Sequence, residues 1–134
     1  MATYGVALTH NTFALLRARV AMAAELRAAN VPDTSVDNGW EYNLGVELRY
    51  TPYINNPSIA TPANPYTPAP AVPADTCTMI HRNDTPHVHP IYGVSFEPGI
   101  CAGAAPFAPI HYTQWLASEP GTLYVVRYTD SSTP

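Results

Sequence analysis

Seven prolines fall within the 22 residues PYINNPSIATPANPYTPAPAVP at positions 52–73. Proline fixes φ and has no backbone N–H, so this stretch can be neither a helix interior nor a central strand. Regular structure is therefore confined to the residues before it and to those from about position 77 onward. Residues 52–76 are expected to run as an extended arm or long surface loop. Tyr53, Ile54, Ile59 and Tyr66 would be wasted in a free linker, so the arm is expected to lie on a neighbouring molecule.

At 134 residues the chain has room for one core, and a single domain over 1–134 is expected. Its surface must be unusual. Charged residues make up 12% of the chain, about half the usual share. All six cations are arginine, and there is no lysine. With ten acids the net charge is −4, which leaves no basic footprint for nucleic acid. No apolar run is long enough to span a bilayer. Depletion of charge is a mark of interface cores. These features point to an obligate assembly subunit.

Residues 1–11 carry apolar side chains without a helical period and are expected to form an extended N-terminal arm. Residues 12–30 are rich in strong helix formers and predict a helix, stopped by Asn30-Val31-Pro32. Two apolar stripes run along it. Phe13, Leu16, Val20 and Ala24 form one, and Leu15, Met22 and Leu26 the other. A surface helix normally has a single such face. This helix is expected to pack on its own sheet and on something else, with Phe13, Leu15, Leu16, Val20, Met22 and Leu26 as interface candidates beside the four apolar arm residues.

Asp37-Asn38-Gly39 is a hairpin-turn signal. Trp40, Tyr42, Leu44, Val46, Leu48 and Tyr50 then alternate with Glu41, Asn43, Gly45, Glu47, Arg49 and Thr51. Period two predicts a hairpin and long strand over 34–51, wet on one face. Short antiparallel strands are expected over 77–129, at Thr78–His81, Ile91–Glu97, His111–Ala117 and Leu123–Thr129. Pro120-Gly121 would turn the last pair into a hairpin. Residues 130–134 form a polar tail. The fold class is α+β: one N-terminal helix on a small antiparallel sheet, with extended N-terminal and proline-rich arms.

Residues suited to chemistry are few. His81, His87 and His89 are close in sequence, and His111 could join them. An extended chain puts His87 and His89 on one face, where a transition metal could bind, with Asp84 or Glu97 completing the shell. His87-Val88-His89 resembles the H-x-H pair of cupin metal sites. The resemblance implies a small metal-binding enzyme, but the glutamate expected three to four residues further on is missing and Glu97 is the first acid. Cys77 and Cys101 read either as two buried thiols or as a disulfide. No nucleophile elbow, phosphate-binding glycine loop or lysine chemistry is present. Trp40 and Trp115, with nine tyrosines, suit core packing or a carbohydrate-binding surface.

The leading expectation is a structural, non-enzymatic subunit that needs no cofactor or small-molecule substrate. It would bind copies of itself or a larger protein lattice through apolar arms and sheet edges, without nucleic acid or membrane. A viral or phage virion component, such as a capsid decoration, accessory or tail-neck protein, is the setting this suggests. With no signal peptide in evidence, it would be made in the cytoplasm. The alternatives are the metal-binding reading of His81, His87, His89 and His111 and the carbohydrate-binding module.

Overall fold

The structure, a computed structural model, describes residues 2–50, 85 and 87–128. The expected arm at 52–76, the strand at Thr78–His81 and the tail lie outside the described residues. So do Tyr53, Ile54, Ile59, Tyr66, Cys77 and His81.

The chain begins with one long helix, α1 (Ala2–Ala28), 27 residues and about 40 Å in length. Where an extended arm was expected over 1–11, the described residues 2–11 are instead its first turns. The helical period there is carried by small residues. Ala7, Ala14 and Ala18 are buried along one side and continue into Met22 and Leu26. Alanine has the highest helix propensity and buries without crowding, so the inward face shows no large residues in its first half. Thr9 and Thr12 each donate their hydroxyl to the carbonyl four residues back, Gly5 and Leu8, the back-bond by which threonine is accommodated inside a helix.

α1 stops where expected, and the stop has a defined geometry. Asn30 takes a left-handed φ of 60°. Its N–H donates to the Arg27 carbonyl at 3.0 Å, and the Val31 N–H donates to Leu26 at 3.0 Å. These are the two bonds of a Schellman cap, and Val31 packs against the core that holds Leu26. Pro32 then leads into a 3-10 turn, Asp33–Ser35, and the two-residue strand β1 (Val36–Asp37).

The largest departure from expectation follows. Residues 40–50 form a helix, α2 (Trp40–Tyr50), and not a strand. Asp37-Asn38-Gly39 joins β1 to this helix and makes no hairpin. Gly39 adopts φ 92°, and a Cβ there would collide with the Arg19 guanidinium, so the connection needs glycine. Asp37 Oδ1 accepts the Gly39 N–H at 3.1 Å and the Asn43 amide at 2.7 Å. The Asn38 N–H donates to Asn43 Oδ1 at 3.2 Å. This network caps the helix start, and local capping outweighs the period-two pattern. The inward face of α2 is Asn43, Val46 and Glu47, two polar residues and one apolar.

Strands β2 (Tyr92–Ser95), β3 (Ile110–Tyr112) and β4 (Gly121–Arg127) complete the sheet. The order is β1-β2-β4-β3. β1 pairs with β2 in parallel, so the sheet is mixed, where an antiparallel one was expected. The helix α2 makes this possible: β1 and β2 are separated by a long connection, which parallel pairing requires. β2 and β3 both pair antiparallel with β4. β3 and β4 are neighbours as expected, but the strand expected over 111–117 ends at Tyr112, residues 113–120 connect the pair, and Gly121 is paired with Tyr112 inside β4 where a Pro120-Gly121 turn was expected. A side chain at 121 would collide with the Tyr112 ring lying across it.

The core lies between α1 and one face of the sheet. Ala18, Met22 and Leu26 meet Val36, Ala105, Leu123 and Val125, edged by Leu15, Tyr92, Phe107 and Ile110. A second cluster joins Val46 of α2 to Val88, with Tyr42 and Tyr128 packed on it. The fold is α+β, with an N-terminal helix on a small sheet that has four strands among the described residues.

Candidate docking groove beside the N-terminal helix

The outer face of α1 is apolar and open. Val6, Phe13 and Val20 recur every seven residues and are 58%, 56% and 70% exposed. Thr9 and Leu16 follow the first two by three residues, and both are exposed. Seven-residue recurrence with a three-residue offset is the spacing of a helix seam that packs on another element. From Val6 to Val20 the ridge runs about 21 Å. The opposite stripe does different work. Met22 and Leu26 are buried, and Leu15 packs against the same core. These three were interface candidates; the structure places them inside the molecule, because the sheet occupies their face. Phe13, Leu16 and Val20 remain available.

Beside the ridge lies a groove of about 530 Å³, lined by Gly5, Val6, Thr9, His10, Phe13, Arg17 and Trp115. Its far wall is built from α1 outward. The Asn11 side chain clamps the Trp115 backbone in both directions: Oδ1 accepts the Trp115 N–H at 2.7 Å, and Nδ2 donates to the Trp115 carbonyl at 3.1 Å. The Trp115 ring then stacks on His10, with centroids 3.9 Å apart and planes 10° from parallel. Leu116 follows in a left-handed conformation, φ 62°, and is 78% exposed. Such a φ is costly for leucine, and here it turns a large apolar side chain out beside the groove. The floor is open because Gly5 has no side chain and nothing lies within 4 Å of where its Cβ would be.

Among the described residues Arg17 supplies the only arginine of the lining. The other described arginines are engaged. Arg27 and Arg49 bind Asp33. Arg19 donates to the Asn38 carbonyl, and Arg127 sits 5.8 Å from the Tyr92 ring centre. Among the described residues, Arg17 has no hydrogen-bond, ion-pair or ring partner. The groove thus combines aromatic walls with one unmatched positive charge.

Two polar centres lie elsewhere in the fold. Asp33, with its side chain 15% exposed, accepts from Arg27 at 3.1 Å, Arg49 at 2.7 Å and the Tyr42 hydroxyl at 2.9 Å. Burial alone would raise its pKa, but hydrogen bonds from Arg27, Tyr42 and Arg49 outweigh this and hold it below the ordinary value. Tyr42 is pushed up to about 12 by burial and by the Asp33 carboxylate. Tyr128 donates to Asp37 at 2.6 Å and is raised by burial and by that carboxylate. The second centre is Glu47, buried, which accepts the His87 N–H at 2.8 Å and approaches His87 Nδ1 at 2.5 Å.

The histidines are thereby dispersed. His87 is tied to Glu47 and lies 6.0 Å from the Tyr50 ring. His89 is exposed, and its N–H donates to the Thr34 carbonyl at 2.7 Å. His111 lies on β3, 2.8 Å from the Thr122 hydroxyl. Val88 between His87 and His89 is buried, but the segment is not in a strand. Among the described residues no three His, Cys, Asp or Glu side chains gather to hold a metal ion. Cys101 is disulfide-bonded, and the sequence has one other cysteine, Cys77, outside the described residues. Trp40 begins α2 and Trp115 lies in the loop before β4, both about half exposed, where strands were expected.

Sequence reading found the part of the ridge from Phe13 to Val20 but missed Val6, which it put in an extended arm, and missed the groove. Asn11, His10 and Arg17 carry no motif, and their alignment with Trp115 depends on a contact 104 residues away. Among the described residues no helix is long and apolar enough to cross a membrane. Comparison with protein-family models, curated proteins and solved structures gave no match.

Proposed function

We propose that this protein is a structural assembly subunit and that the outer face of α1 is its association surface. One observation carries the reading: Val6, Phe13 and Val20 stand more than half exposed in register along a helix whose other face is already buried. Large apolar side chains aligned in this way cost solubility unless something covers them. A chain with no lysine and 12% charged residues has little else to keep that face apart from a partner. A multi-copy particle is the setting that suits such a surface, and a virion component of the decoration, accessory or tail-neck kind fits a small subunit of this type.

The test is the native mass of Phe13→Asp and Val20→Asp variants, read by size exclusion with light scattering. Both positions are exposed, so the fold should survive, as circular dichroism will show. The expected result is an assembled wild type and smaller, folded variants. Variants that keep the wild-type mass would overturn the reading.

A further inference from the structure

The groove asks for an occupant with an apolar tip and an adjacent carboxylate. Its walls are Val6, Phe13 and Trp115, and its one charge among the described residues is Arg17. The same chain displays such a tip elsewhere. Phe96 is 52% exposed, Glu97 beside it is exposed, and Ile100 is 38% exposed. This turn is held at both ends. The Ser95 hydroxyl accepts the Glu97 N–H at 3.0 Å, and the Ala102 N–H donates to the Arg127 carbonyl at 3.0 Å. Cys101 between them is disulfide-bonded. A tip fixed before binding loses little freedom when it docks.

We propose, resting on the assembly reading above, that the groove receives the Phe96–Glu97 turn of a second copy of this chain, with Phe96 between the aromatic walls and Glu97 against Arg17. The tip cannot serve its own groove. Its ring lies 6.0 Å from the Arg19 guanidinium. Arg17 and Arg19 are two residues apart and leave the helix in directions about 160° apart. Donor and acceptor are therefore on opposite flanks of α1. The other described acids beside exposed apolar residues fit less well. Glu41 sits in the first turn of α2, where the helix dipole already favours it. Glu119 belongs to the loop after Trp115 that walls the groove itself. A contact between two different surfaces is head-to-tail, so repetition gives a ring or an open filament.

The apolar insertion supplies affinity, and the exposed ion pair supplies orientation and rate. The experiment is sedimentation equilibrium of the full chain at low and high salt, for wild type, Arg17→Glu, Glu97→Arg, the double exchange and Phe13→Asp. Either single reversal should weaken self-association at least about fivefold at low salt, and the double exchange should restore it to within about twofold. Single reversals that behave as wild type, or a double exchange that stays weak, would overturn the proposal. If Phe13→Asp alone dissolves the assembly, the α1 surface stands and this occupant is wrong. If Phe13→Asp associates like wild type, or the wild type is monomeric, the assembly reading fails with it.

Discussion

Asp33 ties three parts of the molecule together: Arg27 ends α1, and Tyr42 and Arg49 come from α2. Its depressed pKa carries a sign. The stabilisation is present above the ordinary value near 3.8 and is lost as pH falls through the lower, folded value. Acid unfolding should therefore steepen below about pH 4. Asp33→Asn should flatten that limb and cost about 1–2 kcal/mol near neutrality, since the arginines are more than half exposed and the remaining amide still accepts one bond. Urea melts between pH 2.5 and 7 will measure both. Tyr42 acts at the other end. Its folded pKa of about 12 exceeds the ordinary 10, so its contribution holds below pH 10 and declines from there toward 12. Glu47 shows why residue-level reading of the sequence fell short. Alternation put Asn43 and Glu47 on a wet face, yet both are buried and satisfied, one by Asp37 and Asn38, the other by His87. Their partners are decided by tertiary contact, which a single sequence does not display. Glu47→Ala should cost about 2–4 kcal/mol and expose the His87 amide to fast hydrogen exchange.

The two helices divide along the same line. The second half of α1 was legible because its large apolar residues repeat, and its end was legible because Asn30-Val31-Pro32 is a stop written in backbone sterics. Its first half was not, because alanines carry its buried face. α2 was misread because its inward face is two-thirds polar. The two stripes of α1 should respond differently to truncation. Met22→Ala removes a fully buried side chain and should cost about 2–4 kcal/mol. Val20→Ala, at a position 70% exposed, should change monomer stability by less than about 0.5 kcal/mol. Its effect should appear only in association. Thermal melts of both variants in dilute solution, set beside their native masses, separate core from surface. Asn30→Gly should fold as well as wild type, since glycine prefers the left-handed cap, whereas Asn30→Val should lower the melting temperature.

At the scale of the molecule, α+β and the neighbouring of the last two strands were readable from the helix formers and the short apolar runs, but Pro120-Gly121 is not the turn between them, because Gly121 already belongs to β4. The mixed sheet was not: its parallel pair follows from α2 being a helix, so one misread element changed the topology around it. The Phe13, Leu16 and Val20 part of the apolar ridge was readable too, as a second stripe with no place in so small a core. What covers that ridge is the question on which the functional reading turns. The most direct measurement is sedimentation velocity of the unmodified full chain over a hundredfold range of concentration. An assembly subunit should show a mass that is a multiple of 14.5 kDa and rises with concentration. A single species of 14.5 kDa across the whole range would contradict self-assembly through α1.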